Sequence, residues 1–472
     1  MTDSLRVVHP PGYERERSYV LDVLLRQFLG LEHTAEPGPV EEVEVTLAGE
    51  PERSLRLRDG LFRCPADDWL TPRSLPRPPL EAWDLAGSAF ADAAVEAGLP
   101  VLFGARLERG AWLDEDERGL RVGADLLGGA FFLLTRYEEL ALPDRDEHGR
   151  FPAAASLAVR AGFLRRPLVN EYAELLLALL RRLWPRLERR RWTFLEQPSH
   201  DVDTAFSPLA APAVARALAG DLLRRRDGGL AARRLGAFVR GRRGDPSADL
   251  YDTYDALMDA SEARGLRSAF YFIADRPAGP IDGNYSLDEP RIRGLLRRIA
   301  ARGHELGLHT SYSAYRDPEQ TRKELELLVR ACEEEGIGQE RWGGRQHYLR
   351  FENPTTWQAW ADAGLAYDST VGFAEAPGFR CGVCYPYTVF NLSTRRALPL
   401  VERPLIVMDK TIIEDLAEEE AVSAVSELRE RCRRYGGELQ LLWHNARLAS
   451  SRERRLFRRA FRDVGEPAAG PR

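Results

Sequence analysis

The sequence predicts an α/β protein in which a (β/α) barrel follows a smaller mixed α/β domain. The main observation is a regular alternation of short apolar strands and amphipathic helices from about residue 250 onward. This alternation is typical of a parallel sheet with helices outside, and a barrel is its natural closure. A second observation is that acidic residues and histidines follow several of these strands, where barrel enzymes carry their chemistry.

The barrel is predicted to occupy residues 191–465. The predicted strands are 268–273, 305–309, 346–351, 405–408 and 438–443, and the predicted helices are 251–264, 290–301, 318–335, 355–363 and 418–434. A further strand opens with the aromatic and β-branched run 192–195 and leads into an acidic segment. The domain boundary is therefore placed just before this run.

The first 190 residues lack this alternation and predict a mixed α/β domain of unknown role. Helical periodicity covers residues 19–29 and stops at Gly30, while residues 43–47 alternate as a strand does. Two further helices are predicted at 125–139 and at about 169–187.

Composition limits the classes of partner. The chain has 472 residues with a formal net charge of -6, which argues against nucleic acid as the main partner. A basic insertion at about 205–249 includes the run Arg224, Arg225 and Arg226. A groove for nucleic acid or a phosphorylated carrier is one interpretation, but no aromatic residues interleave with the arginines, which favours a solvated helix face.

The compartment is inferred from cysteines and termini. Five cysteines are too few and too unevenly spaced for a disulfide framework, and the pair Cys381 and Cys384 lacks the second pair that a structural zinc site needs. The N-terminus lacks the pattern of a secretory signal, and no apolar run reaches the ~18 residues of a membrane helix. We expect a cytoplasmic protein without a membrane span, which would meet a surface polysaccharide as a precursor before export.

Two aspartates after the first strand are candidate site residues. Asp201 and Asp203 lie two positions apart, so both project to the same side of an extended segment. Two close carboxylates favour a metal ion on one of them and a shifted proton on the other. A turn or a helix cap is the simpler alternative for this pair.

Histidines follow two other strands. His304 and His309 are five positions apart, so in a continuous strand they face opposite ways, and His309 at the C-terminal end is the predicted metal ligand. His304 is predicted to pack or to support the site. His444 follows the last predicted strand and is a second candidate, with a core histidine as the alternative.

Arg345, His347 and Arg350 lie on the predicted strand 346–351 or just before it. An arginine beside a catalytic carboxylate would keep it ionised and oriented, which is the role predicted for Arg345, whereas surface ion pairing is favoured for Arg350. His347 has the same parity as Arg345 and is a candidate additional ligand. Two carboxylates and two histidines at strand ends are the parts of a metal-assisted hydrolase.

The order of these motifs resembles the polysaccharide deacetylase family, the NodB-homology domain of carbohydrate esterase family 4. The resemblance covers roughly residues 192–460 and is carried by Asp201-x-Asp203, the segment 303–310 (Gly-His-Glu-Leu-Gly-Leu-His-Thr), the strand with Arg345, the segment 367–369 (Tyr-Asp-Ser) and Leu441-x-x-His444. It implies an irregular (β/α) barrel. Segments 344–351, 378–382 and 442–445 resemble a bacterial branch that carries an additional N-terminal domain.

The resemblance also implies roles for individual residues. Asp201 would be the general base and Asp203 a metal ligand. His309 would be the first histidine ligand and His444 the general acid. Arg345 would orient the base, and Asp368 would help to orient His444.

The chain departs from the family pattern at one metal ligand. The family places a second histidine four residues after the first, and here that position is Ser313. A hydroxyl is a weaker ligand than an imidazole, so Ser313 is a poor third ligand unless water or His347 completes the metal shell.

The function predicted from the sequence is hydrolysis of an acyl amide with a divalent metal ion, zinc in the first place. The predicted substrate is an N-acetylated amino sugar of a surface glycan or its precursor. One alternative is a degenerate barrel that binds glycan or a protein partner without hydrolysis, which Ser313 favours. Another alternative is a C–N hydrolase that acts on a small cyclic amide.

Overall fold

The computed structural model describes residues 4–223 and 226–461. Its strands, in chain order, are β1 Leu5–His9, β2 His33–Pro37, β3 Val43–Leu47, β4 Glu50–Leu57, β5 Glu81–Asp84, β6 Gly98–Val101, β7 Leu113–Asp116, β8 Gly119–Val122, β9 Leu195–Val202, β10 Ala269–Ile273, β11 Glu305–Thr310, β12 Gly343–Gln346, β13 Tyr367–Asp368, β14 Tyr387–Asn391, β15 Arg396–Glu402, β16 Val407–Met408 and β17 Glu438–Leu442.

The α-helices begin and end close to the predicted positions in the second half of the chain. They are α1 Glu14–Leu21, α2 Leu126–Leu134, α3 Tyr137–Ala141, α4 Leu157–Arg160, α5 Leu168–Leu183, α6 Ala211–Leu223, α7 Gly228–Arg242, α8 Tyr254–Glu262, α9 Pro290–Ala301, α10 Pro318–Glu334, α11 Thr355–Asp362, α12 Asp409–Glu414, α13 Glu418–Tyr435 and α14 Ser451–Ala460. No helix within the described ranges is long and apolar enough to cross a membrane.

The larger sheet has nine strands in the order β14-β15-β13-β12-β11-β10-β9-β17-β16. Every neighbouring pair is parallel except β14 and β15. Strand β10 is buried along its whole length, as expected for a strand covered on both faces. The predicted mixed α/β class is confirmed. Within the described residues β14 and β16 are the edges of the sheet, so the strands form an open sheet.

A six-stranded mixed sheet, in the order β2-β1-β3-β4-β8-β7, is formed by residues before 123. The predicted strand 43–47 is confirmed, and the predicted helical run ending at Gly30 is confirmed as α1 followed by a π-helical segment, Asp22–Leu29. The predicted helix 125–139 is wrong in its length. Asp125 caps α2, and Arg136 adopts a φ of 52°, which separates α2 from α3.

The strand predicted at 346–351 lies earlier in the chain, at Gly343–Gln346. The observed strand includes Gly343 and Gly344, two residues of a type that is unfavourable in strand interiors. In the structure they are required: a Cβ on Gly343 would collide with the Tyr367 ring, and one on Gly344 would collide with the backbone of Leu308. The chain then leaves the sheet in a 3₁₀ turn, His347–Leu349.

The basic insertion contains two helices, α6 and α7. Arg224 and Arg225 lie outside the described residues. Arg234 is buried and forms an ion pair of 2.6 Å with Asp221. At least this arginine therefore has a structural partner.

A buried charge cluster joins the N-terminal residues to the segment before β14. Glu139 accepts from Nε of Arg136 at 2.8 Å and from Arg380 at 2.8 and 2.7 Å, and all three side chains are buried. The hydroxyl of Tyr387 on β14 also donates to the carbonyl of Leu134 at 2.8 Å. The two predicted domains thus contact each other through buried polar groups, and the boundary at residue 190 stays a prediction.

We expect Glu139→Gln to lower the free energy of unfolding by about 3–5 kcal/mol, because it leaves the buried charge of Arg380 without a carboxylate partner, whereas Arg136 keeps its ion pair with Glu138. The measurement is urea unfolding followed by circular dichroism. Glu419→Gln is the matched control, since Glu419 forms an exposed ion pair with Arg459 and such pairs contribute about 0–1 kcal/mol. Equal shifts in the two variants would contradict the role of the cluster.

Candidate metal centre and active site

A cavity of about 260 Å³ opens at the carboxyl ends of the parallel strands. Asp201 lies at the end of β9, and Asp203 follows it by two residues. His309 lies near the end of β11, and His444 follows β17. Parallel strands end at one edge of the sheet, so side chains far apart in the chain line the same cavity.

Three of these side chains form a cluster that could hold a metal ion. Ligand atoms of Asp203, His309 and His347 all lie within 4.8 Å of one another. The Oδ1 atom of Asp203 lies 3.1 Å from Nε2 of His309 and 3.6 Å from Nε2 of His347. The family pattern places its second histidine four residues after the first. Here the second imidazole near His309 is that of His347, in the turn that follows the neighbouring strand β12.

The protonation geometry of the cluster fits a cation. Nδ1 of His309 lies 2.8 Å from the carbonyl oxygen of Arg345, so Nδ1 carries a proton and Nε2 is turned toward Asp203. Oδ1 of Asp203 is buried. A carboxylate oxygen and an imidazole nitrogen 3.1 Å apart are held by a proton or a cation between them, and the donor set of one carboxylate and two imidazoles suits zinc as that cation.

The pKa of Asp203 also fits a role as a metal ligand. Burial alone would raise the pKa of this carboxyl, but the nearby imidazoles of His347, His444 and His309 outweigh that effect and hold the pKa well below its ordinary value. Asp203 is therefore a carboxylate at neutral pH, which is the form that ligates metal ions.

His347 has a carboxylate behind it. Its Nδ1 lies 3.8 Å from Oδ1 of Asp282, and Asp282 is itself fixed because it accepts backbone N–H groups of Tyr312 and Ala278 at 2.7 Å each. A carboxylate behind an imidazole is the usual support for a histidine ligand.

The structure does not place Ser313 in the site. Ser313 is exposed at the start of the 3₁₀ turn Ala314–Arg316 and is not among the residues that line the cavity. The chain turns away from the sheet after Thr310, so a residue four positions beyond His309 no longer shares its face. The prediction of Ser313 as a ligand is therefore wrong. Of the two candidates from the sequence for the remaining ligand, the structure brings His347 into the cluster.

The side chain of Asp201 is held by Arg345. The NH1 group of Arg345 donates to Oδ1 of Asp201 at 2.7 Å, and both side chains are buried. This bond leaves Oδ2 of Asp201 directed toward the cluster, 3.8 Å from Nε2 of His309. Arg345 occupies the orienting position that the sequence predicted for it.

His444 is held by Asp409. Nδ1 of His444 lies 2.9 Å from Oδ1 of Asp409, whose Oδ2 accepts the backbone N–H of His444 at 2.7 Å. Nε2 of His444 faces the cavity, 3.5 Å from Oδ2 of Asp203. Burial would lower the pKa of His444, but the carboxylates of Asp409 and Asp203 outweigh it and raise that pKa to about 9.

Asp368 is not the partner of His444. Its Oδ1 accepts from the backbone N–H of Thr370 at 3.0 Å, and its carboxyl group lies beside that of Glu402. Burial raises the pKa of Asp368, and burial together with the neighbouring Asp368 raises the pKa of Glu402. The expected orienting role is thus corrected from Asp368 to Asp409.

His304 and Arg350 lie outside the cluster. His304 precedes β11, where its Nδ1 accepts from the backbone N–H of Ser268 at 2.9 Å. Arg350 packs over the rings of Tyr312 and Tyr315, with its guanidinium carbon 3.9 and 3.8 Å from their centres. The packing role favoured for His304 agrees with this contact, whereas the surface ion pair favoured for Arg350 is replaced by contacts with aromatic rings and backbone carbonyls.

Three residues of the site were missed from the sequence: Arg150 and Lys410, which line the cavity, and Asp409, which binds His444. Asp409 directly follows the predicted strand 405–408, so the signal used for Asp201 would have found it. Arg150 belongs to a loop of the N-terminal residues, and no local pattern indicates that this loop reaches the site.

Comparisons with known proteins give a partial match. A family model described as a family of unknown function, DUF7033, matches residues 6–185, which is less than half of the chain. No curated protein matches the chain.

Solved structures show only distant similarity. A protein from Mycobacterium smegmatis described as a candidate polysaccharide deacetylase has 18% identity and a TM-score of 0.36, covering 57% of this chain and 82% of that one. Puue allantoinase has 11% identity and a TM-score of 0.34, with coverage of 57% and 82%. Agd3, described as a novel carbohydrate deacetylase, has 11% identity and a TM-score of 0.33, with coverage of 95% and 80%. At these TM-scores the similarities carry no argument about function, which rests on the site itself.

Loss of a residue that supports a metal ligand typically weakens metal binding by about 10- to 100-fold. We expect His347→Ala to weaken zinc binding by more than this, because it removes a proposed direct ligand. Zinc affinity is measured by competition with a chelator, and metal content by mass spectrometry. Ser313→Ala is the comparison and should keep the wild-type affinity. A loss of zinc in Ser313→Ala with retention in His347→Ala would reverse the assignment.

Proposed function

We propose that the protein is a metal-dependent hydrolase that removes an acyl group, most simply acetyl, from the nitrogen of an amino sugar. The observation that carries this proposal is one arrangement. A three-residue metal cluster lies between a carboxylate held by Arg345 and an imidazole held by Asp409. Amide hydrolysis needs a polarised carbonyl, a base and an acid at one point, and this cavity brings the three together.

Asp203, His309 and His347 would hold the divalent ion, for which we propose zinc. When bound, such an ion polarises the substrate carbonyl and lowers the pKa of water to about 7. The three residues come from the ends of β9 and β11, which flank β10, and from the turn after β12. Their backbone positions are therefore fixed by the sheet.

Asp201 is placed to act as the general base. Arg345 binds one oxygen of its carboxylate and leaves the other at the cavity, where it would accept a proton from the attacking water. The neighbouring guanidinium favours the ionised carboxylate, which is the form that a base requires.

His444 is placed to act as the general acid. Asp409 binds Nδ1, so Nε2 is the nitrogen that presents its proton to the cavity. With a pKa of about 9, His444 carries that proton at neutral pH and would deliver it to the departing amine nitrogen. Expulsion of an amine needs such a proton, because an amide anion is a very poor leaving group.

A sugar ring suits the rest of the cavity. The Tyr348 ring lines it with 37% of the residue exposed, and it is braced by His347 and His148 at ring-centre distances of 4.7 and 4.8 Å. An exposed aromatic face is the surface on which the C–H face of a sugar packs. The ordered motifs in residues 192–460 support the same substrate class.

We expect Asp201→Asn to lower kcat/KM for acetate release by about 10²- to 10⁴-fold, the usual contribution of a positioned base, while metal content stays at the wild-type level. His309→Ala should lose both activity and metal, because it removes a ligand. The substrates are N-acetylated amino-sugar oligomers, with small cyclic amides screened in parallel. Turnover of the cyclic amides alone would contradict the sugar substrate, and full activity of Asp201→Asn would contradict the base.

We expect Asp409→Asn to lower kcat by at least about 10²-fold, since it removes the charge that keeps His444 protonated and oriented. Asp368→Asn is the matched variant, because Asp368 is an equally buried aspartate that does not contact His444. Its kcat, measured at matched metal occupancy, should stay close to the wild-type value. A larger effect in Asp368→Asn would contradict the assignment of Asp409.

A further inference from the structure

The cavity wall carries positive charge that the proposed hydrolysis does not use. Arg150, Lys410 and Arg447 all line the cavity, in addition to the histidines. Its lining carboxylates are Asp201 and Asp203. Asp201 is bound by Arg345 from behind the wall, and Asp203 faces the imidazoles.

Arg150 is brought to the wall by the N-terminal part of the chain, within the DUF7033 match. Its Nε donates to Asp146 at 2.7 Å, and its NH1 donates to the carbonyl of Tyr348 at 3.0 Å. The loop is fixed from the other side, where Arg350 donates to the carbonyl of His148 at 2.6 Å. Arg150 is therefore a positioned cation, and its NH2 group is not used in these bonds.

Lys410 differs from the other two cations in its partners. Arg447 forms an ion pair of 2.6 Å with Glu414, and Arg150 is paired with Asp146. Among the residues that the structure describes, no carboxylate forms an ion pair with the Lys410 ammonium group. The other lysine of the chain, Lys323, lies on α10 and is paired with Asp275.

An exposed lysine without a partner is ordinarily a solvated charge. This one lies on the wall of a cavity, next to Asp409, which holds the proposed acid. A wall with an excess of cations attracts and orients negatively charged substrates, and it does so more strongly near a partly buried surface than in open water.

We propose that Lys410, together with Arg150 of the same cavity lining, binds an anionic oxyacid group, a carboxylate or a phosphate, that the substrate carries near its acylated nitrogen. This inference rests on the proposed function. It narrows the proposed substrate class from N-acylated amino sugars in general to those that carry an acidic group. Lys410 acts as a point charge, which suits either anion, and its charge-assisted hydrogen bond fixes the substrate rather than taking part in bond cleavage.

The test compares three probes that share an N-acetylated glucosamine ring. The probes are the neutral methyl glycoside, the 1-phosphate, and the methyl glycoside whose C6 is oxidised to a carboxylate. We expect wild-type kcat/KM to be at least about tenfold higher for one of the anionic probes than for the neutral one, as for one charged hydrogen bond. The two anionic probes distinguish phosphate from carboxylate.

Lys410→Met should reduce this preference by about tenfold, and Lys410→Arg should retain most of it. Lys323→Met is the matched control and should keep the wild-type preference, because Lys323 does not line the cavity and is paired with Asp275. The preference should also fall as salt is raised from 0.01 to 1 M, values that shorten the Debye length from about 30 to about 3 Å.

Equal kcat/KM for all three probes, or a preference that survives in Lys410→Met, overturns the inference while leaving the proposed hydrolase intact. Absence of turnover for every probe instead counts against the proposed function. In that case calorimetric binding of the same probes decides the inference by itself: tighter binding of an anionic probe that is lost in Lys410→Met supports it, and equal binding or no binding overturns it.

Discussion

The buried pair of Arg345 and Asp201 is the constraint on which the rest of the site depends. Arg345 is fully buried on β12 and reaches Asp201 on β9 across the two intervening strands, β11 and β10, so its side chain runs along the inside of a curved sheet. Its remaining donors go to Ser199 Oγ and to the carbonyl and hydroxyl oxygens of Ser369 at 2.8–3.1 Å. A buried N–H group of a guanidinium that lacks an acceptor costs free energy. The strands that supply these acceptors, together with Asp201, are therefore held in one arrangement.

A common device orients the imidazoles around this pair. In His309 and His444 the Nδ1 atom is bound outside the cavity, by a backbone carbonyl and by Asp409 respectively, and His347 has Asp282 behind its Nδ1. Each ring therefore presents Nε2 to the cavity. The carboxylate of Asp409 lies at hydrogen-bond distance from His444 and suits this residue to carrying a proton, whereas His309 is held by a neutral carbonyl.

The sequence predicted those parts of the site that depend on strand parity and strand ends. Asp201 and Asp203 line one cavity because extended residues two apart share a side, and His309 lies there because it ends a strand. Spacing failed where the chain leaves the sheet: the turn after Thr310 takes Ser313 away from the site. The strand that delivers His347 begins three residues earlier than predicted, at Gly343, because its two glycines allow close packing. Arg150 is a contact between distant segments, which no local periodicity encodes.

The N-terminal residues are part of the site's structure and not an appendage to it. Glu139 neutralises Arg380 in the segment before β14, and the loop around His148 is bonded to Arg350 and, through Arg150, to the backbone of Tyr348. Tyr348 adopts a φ of 62°, an unfavourable backbone conformation that neighbouring contacts must maintain. Because Tyr348 directly follows the metal-cluster residue His347, the same loop that supplies a cation to the wall also holds the turn that positions a ligand.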